Sequence, residues 1–147
     1  MKKIVALLAL VLAVTSCSED IKVNSPAFQA NKNNNFWQAN SMTAFADANG
    51  ITIVATVGSE IVTLHTNAAT AGTYLLGLND VNTATFESTP ATGAYFETGP
   101  SIGSGVITIT PNQTPGTITG KFEFVAQDED GNEVNFTKGD FYKIPIQ

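Results

Sequence analysis

The 147-residue sequence has no arginine, one histidine (His65), one tryptophan (Trp37) and one cysteine (Cys17). Each shortage excludes something. Without arginine there is no bidentate fork to grip phosphate or carboxylate ligands. The seven basic residues are all lysine, against thirteen Asp and Glu, for a net charge of −6. Nucleic-acid binding starts from a basic footprint, so no nucleic-acid partner is expected. A lone cysteine forms no internal disulfide, and a lone histidine builds no histidine-based metal cluster. No cofactor and no metal are expected. Beyond Ile4–Val14 there is no long apolar run, and no later stretch repeats its apolar residues at the helical period.

What is present begins with an ordered N-terminus. Lys2 and Lys3 precede the apolar run Ile4–Val14, and small residues Thr15 and Ser16 precede Cys17. The run is too short for a stable membrane span, which needs roughly 20 residues, and suits the centre of a secretory signal. Val14-Thr15-Ser16-Cys17 resembles the lipobox of bacterial lipoproteins, with Val where Leu is commonest. The resemblance implies cleavage before Cys17 and lipid on its thiol, so Cys17 is the expected lipidation site. Two simpler readings compete: an ordinary residue beside a plain cleavage site, or a free buried thiol.

The expected organisation is a signal peptide over 1–16, a lipidated cysteine and short linker over 17–26, and a β-domain over 27–147. Loss of Lys2 and Lys3 leaves five lysines against thirteen acids, a net −8. The remaining 131 residues, Cys17–Gln147, make one domain able to bury its own core. An acidic domain is repelled by an anionic bilayer, so the lipid on Cys17 is the expected membrane contact. Residues 18–26 give a taut reach of about 31 Å, which keeps the domain close to the membrane. Ser18-Glu19-Asp20 has two readings: a signal for export to the cell surface, or a plain polar tether. Ser18 also departs from the inner-membrane retention signal, which favours the outer membrane.

From Ala27 onward the sequence predicts strands. Thr, Val, Ile and Phe are abundant and turn residues recur every several positions. Asn31–Asn35 and Asn49-Gly50 read as turns, and Gly58-Ser59 as another. Phe36–Ala46 reads as one strand with irregular alternation, which suggests a bulge. Ile51, Ile53, Ala55 and Val57 share one face, as do Val62 and Leu64, with His65 opposite. Tyr74, Leu76 and Leu78 read as the next inward set. The clearest strand is Thr117–Ala126, with Ile118, Gly120, Phe122, Phe124 and Ala126 on one face. Asp130-Gly131 then turns the chain into Glu133–Thr137. Lys138-Gly139-Asp140 turns it again into Phe141–Ile146, where Pro145 suggests an edge strand. The expected fold is all-β: one antiparallel sandwich or flattened barrel of about eight or nine short strands.

An ordered set of motifs carries a second resemblance. Phe28-Gln-Ala, Phe36-Trp37, Gly72-Thr-Tyr74-Leu-Leu-Gly77, Gly105-Val-Ile-Thr-Ile-Thr110, Thr117-Ile-Thr-Gly-Lys-Phe-Glu-Phe124 and Asn135-Phe-Thr-Lys-Gly-Asp-Phe141 follow one another. Together they resemble a family of small Bacteroidota-type lipoproteins defined by a β-rich domain of unknown function, over roughly residues 26–146. Asn33-Asn34-Asn35 departs from the Asn-Gly turn expected there. The resemblance implies no activity, so no catalytic residue is assigned.

Four features invite chemistry. Gly99-Pro-Ser101-Ile-Gly103 has the letters of a serine-hydrolase elbow, but that motif needs a helix after the serine and a β-run follows here. His65 has no serine tied to it by sequence, so a structural role is expected. Asp128-Glu129-Asp130-Gly131-Asn132-Glu133 suggests calcium by composition, yet its glycine is fourth rather than sixth, as in a solvated hairpin turn. Trp37, Tyr74, Tyr95, Phe96 and Tyr142 offer rings for sugar stacking, although core packing is the commoner use. The expected function is a non-catalytic structural, accessory or ligand-binding module on the outer membrane, not an enzyme. The alternatives are a glycan-binding surface module and, more remotely, a hydrolase. A binding module predicts exposed aromatics, an enzyme predicts His65 beside a serine and a carboxylate, and a scaffold predicts an apolar patch or free edge.

Overall fold

A computed structural model describes residues 26–88, 93–111 and 113–147. The signal-peptide and Cys17 expectations lie outside those residues. The described chain is all-β, with eleven strands and no helix. They are β1 (Ala27–Lys32), β2 (Asn35–Gln38), β3 (Ser41–Asp47), β4 (Gly50–Val57), β5 (Glu60–Thr66) and β6 (Gly72–Leu76), then β7 (Thr83–Ser88), β8 (Ala94–Glu97), β9 (Ser104–Ile109), β10 (Thr117–Gln127) and β11 (Glu133–Pro145).

Nine of them form one curled antiparallel sheet in the order β2-β1-β11-β10-β8-β7-β5-β4-β3. It is a half-barrel, so the curled sheet rather than the two-layer sandwich is the architecture adopted. Strands β6 and β9 form a side branch: β9 pairs with β10 from Ser104↔Val125 to Ile109↔Gly120, and β6 pairs with β9. The two ends of the main path, β2 and β3, are consecutive in sequence. Between them the Ala39 amide donates to Phe28 O and the Asn40 amide to Thr56 O. The chain thus leaves one wall and joins the other at these two residues. The expected single strand Phe36–Ala46 is therefore two strands with a corner, not one strand with a bulge. A parallel bridge between Ala44 and Ile146 brings β3 against the end of β11.

The alternation in sequence explains the core. Ile51, Ile53, Ala55, Val62 and Leu64 face inward with Ile118, Phe122, Phe124 and Ala126. Phe28, Phe136 and Phe141 are fully buried, and the rings form a column: Phe124 stacks on Phe136 at 4.8 Å and Phe28 lies 4.8 Å from Phe122. Full burial stabilises by about 1.5–3 kcal/mol per large apolar side chain. The column needs glycines opposite it. Gly120 pairs with Phe141, Gly139 with Phe122 and Gly105 with Phe124. A Cβ on Gly139 would sit 2.6 Å from the Phe122 ring, and one on Gly120 would overlap the Phe141 ring.

Three expectations are corrected here. Lys138-Gly139-Asp140 is not a turn, because β11 runs unbroken for 13 residues. Lys138 takes a left-handed φ of +51° and the register with β10 shifts between Phe122 and Phe124, so the segment is a bulge. A second left-handed residue, Lys143 (φ +47°), sits where the register shifts between Ile118 and Gly120. β11 is also not an edge, since it lies between β1 and β10. Pro145 is its last residue, beyond the final β1 pair Ala27↔Tyr142, where the missing amide costs no interior ladder bond. Leu78 does not face inward with Leu76; it follows the end of β6 and is 66% exposed.

The expected turns at 31–35 and 58–59 form. Asn33 and Asn34 both have positive φ, +48° and +68°, the geometry usually supplied by Asn-Gly. Asn33 is also held from β11: its amide donates to Asn135 O and its Oδ1 accepts from the Asn135 amide. At the same end of the curl, Glu60 of β5 joins β1 and β2. It forms an ion pair with Lys32 and accepts from Trp37 Nε1 at 2.6 Å, while Lys32 Nζ lies 4.9 Å above the Phe86 ring.

Candidate functional site

The chemistry-bearing residues of the sequence motifs end up apart. Ser101 sits in an exposed turn with φ +62°, and its amide donates to Gly77 O. Gly99 and Ile102 close that turn by exchanging backbone bonds, and β9 begins at Ser104, so no helix follows the serine. His65 lies on β5, where its Nδ1 is 2.9 Å from Thr52 Oγ1 on β4. Among the described residues neither is shown bonded to the other or to a carboxylate.

Asp128 organises the β10–β11 turn. Its carboxylate accepts from the Asp130 amide at 3.0 Å, the Asn132 amide at 2.8 Å and Asn132 Nδ2 at 2.8 Å. The Asn132 side-chain bond above all holds the Asp128 carboxyl below the usual carboxylate range, with the backbone amides adding to it against a small desolvation penalty. Its oxygens are occupied within the turn. Among the described residues no group of three or more His, Cys, Asp or Glu is placed to hold a metal ion.

The five aromatic candidates are dispersed. Trp37 is buried against Phe28 and Phe136. Tyr74 folds back, donating its hydroxyl to Thr70 O at 2.6 Å. Phe96 packs on Phe86, and Tyr142 lies under Lys143 Nζ. Only Tyr95 keeps an exposed ring, at 45%. It projects from β8 on the same face as Glu97, two residues on. Burial against the surface raises its phenol above the ordinary value, and the Glu97 carboxylate, bonded to it, raises it further. Tyr95, Glu97, Ile102, Gln127, Asp128 and Glu129 line an open groove of about 410 Å³.

A further group of residues stands out in the fold although no sequence motif points to it. Among the described residues the exposed large apolar side chains are Phe36, Phe45, Leu75, Leu78, Val81, Tyr95 and Ile102. Five of these seven belong to β6, β8 and the two loops after those strands. The loops abut, through the Ser101–Gly77 bond and the close approach of Gly77 to Gly103 O. Strand β6 is itself open, since β9 is its strand partner among the described residues. One local signal exists in Leu75-Leu76. In a strand the two side chains point to opposite faces, so one of them faces away from the core.

Residues 24–145 match the family model described as a domain of unknown function, DUF6252. The chain belongs to this family. The DUF6252 match spans the whole described sheet and agrees with the ordered motifs in pointing to a family defined by a domain of unknown function. No curated protein and no solved structure matches the chain.

Proposed function

We propose that this DUF6252 domain is a non-catalytic interaction module of a Bacteroidota-type lipoprotein, held to the outer membrane by lipid on Cys17. The observation that carries the interaction reading is the gathering of exposed apolar side chains around the open strand β6. Monomeric proteins seldom expose contiguous apolar surface without a use for it. The order Lys2-Lys3, apolar run, Thr15-Ser16-Cys17 supports the anchor. On this reading the domain sits near the bilayer on its short linker, and its partner is a protein.

A second reading is glycan binding, favoured by the exposed Tyr95 ring at the edge of a groove that also offers Glu97 and Gln127 as hydrogen-bonding groups. The anchor is tested by Cys17→Ala. The variant is expected to lose fatty-acid labelling and move to the soluble fraction. A variant that still sediments with membranes would refute the anchor.

A further inference from the structure

We infer that the free edge of β6 receives an extended peptide strand from a partner protein, apolar in alternation and basic where it meets the acidic groove. The inference rests on reading the domain as an interaction module and deepens it by naming the partner's chemistry.

The register fixes which backbone groups are free. The Thr110 amide donates to Thr119 O, so hydrogen-bonded pairs alternate along β9 and β10 from that point. Thr108 and Val106 then bond toward β10, and Ile109, Ile107 and Gly105 bond toward β6. Their partners Gly72, Tyr74 and Leu76 are spent on β9. The N–H and C=O of Thr73 and Leu75 therefore point away from the sheet, a ladder spacing apart. Edge strands usually carry protection such as charge, proline or a bulge. Here there is none: no Asp, Glu, Lys or Arg occurs from Ile61 to Asn79, and β6 pairs with β9 in unbroken register.

The side chains define the occupant. Leu75 is 53% exposed beside this edge, with Leu78, Val81 and Ile102 on the adjoining loops. Charge is acidic around these loops, whereas Lys121 lies across β9 from Thr73 at the other end of β6. Glu97, Asp128 and Glu129 line the groove with Ile102, the Asp80 carboxylate lies against Gly99, and no lysine lines that groove. A second copy of the chain would bring the same net charge of −6 to the contact. An added strand with apolar residues over Leu75 and lysine at the end beside these loops meets both the edge and the rim.

The test uses the full chain in detergent micelles and a fluorescent heptapeptide that alternates valine and threonine between terminal lysines. Anisotropy is expected to show saturable binding that weakens at least about tenfold for a peptide with glutamate ends. A similar loss is expected for a peptide N-methylated at alternate residues, and for Leu75→Lys. Thr73→Pro serves as a second variant, since it deletes an outward N–H without touching the β9 ladder. Lack of binding, equal binding of the lysine and glutamate peptides, or indifference to N-methylation or to both variants would overturn the inference. So would a concentration-dependent dimer that Leu75→Lys dissociates, which would assign the edge to a second copy. Tighter binding on deletion of Ile21–Val23 would assign it to the chain's own linker and overturn the inference equally. Cys17→Ala fractionation is independent of every arm, so the anchor and the edge stand or fall separately.

Discussion

Gly120 shows how a single atom's absence shapes the interior. It faces the core in β10, directly opposite Phe141 of β11, and Thr108 O of β9 closes the space on its other side. A methyl group there meets backbone and ring together, and backbone cannot rotate away. Gly120→Ala is expected to destabilise the domain by about 1–3 kcal/mol, the usual cost of overpacking. Urea unfolding followed by Trp37 fluorescence measures this; an unchanged midpoint would show that the ring column is loosely packed. Asp128 acts through charge instead. Its carboxyl titrates below the ordinary value of 3.8 in the folded protein. A depressed carboxyl contributes stability that is present above its unfolded value and lost as pH falls through the folded one. Asp128→Ala is therefore expected to be less stable than the parent at neutral pH and to match it in strong acid. Thermal melts across that range check the sign, and a gap that persists in strong acid would count against it.

At the scale of elements, β11 carries the most information. Its two left-handed lysines insert bulges that bend a 13-residue strand, so that one strand serves β1 on one side and β10 on the other. Deleting Lys138 removes the extra residue. Phe136 and Phe141 are then an even number of positions apart, so both still face inward, and the pairs Phe124↔Phe136 and Phe122↔Gly139 fall into one continuous register. The deletion is expected to keep cooperative unfolding but to melt lower than the parent, because the bend that the bulge gives β11 is lost, whereas Lys138→Gly, which keeps the bulge and suits the left-handed φ, is expected to melt close to the parent. Circular dichroism melts of the two variants make the comparison. The same element marks what the sequence discloses. Strand β10 is legible because its inward residues alternate without interruption from Ile118 to Ala126. The bulge in β11 is not, since Lys-Gly-Asp is also a turn composition and only the partner strand distinguishes the two. Leu78 reads as inward only when alternation is carried past the end of β6. The exposed stripe is hidden for a related reason: Leu75, Leu78, Val81, Tyr95 and Ile102 are spread along the sequence and meet only after the loops abut. Trp37 has the composition of a surface ring, and its place in the core depends on Glu60 arriving from β5 to accept its N–H.

For the whole molecule, the curl is held by three kinds of closure. Backbone ladders run along the path, the covalent corner at Ala39-Asn40 ties its two ends, and the Glu60 contacts to Lys32 and Trp37 join opposing walls. The β6–β9 branch stands outside this path and leaves a further strand edge open besides the path's own ends. On the proposed reading contact and anchorage are separate: lipid on Cys17 would set position, and the β6 edge would offer recognition.

The pairing of β1 with β11 has a consequence for timing. Ala27 finds its ladder partner at Tyr142, and Phe28 finds Phe141, so the first strand waits for the last. Until the final residues are available, β1 has only its hairpin partner β2, and Phe136, Phe141 and Ile144 are missing from the core. Closing so long a loop makes such a topology slow to complete. A chain with this order stays open until its last strand is made, and the sheet curls shut only then.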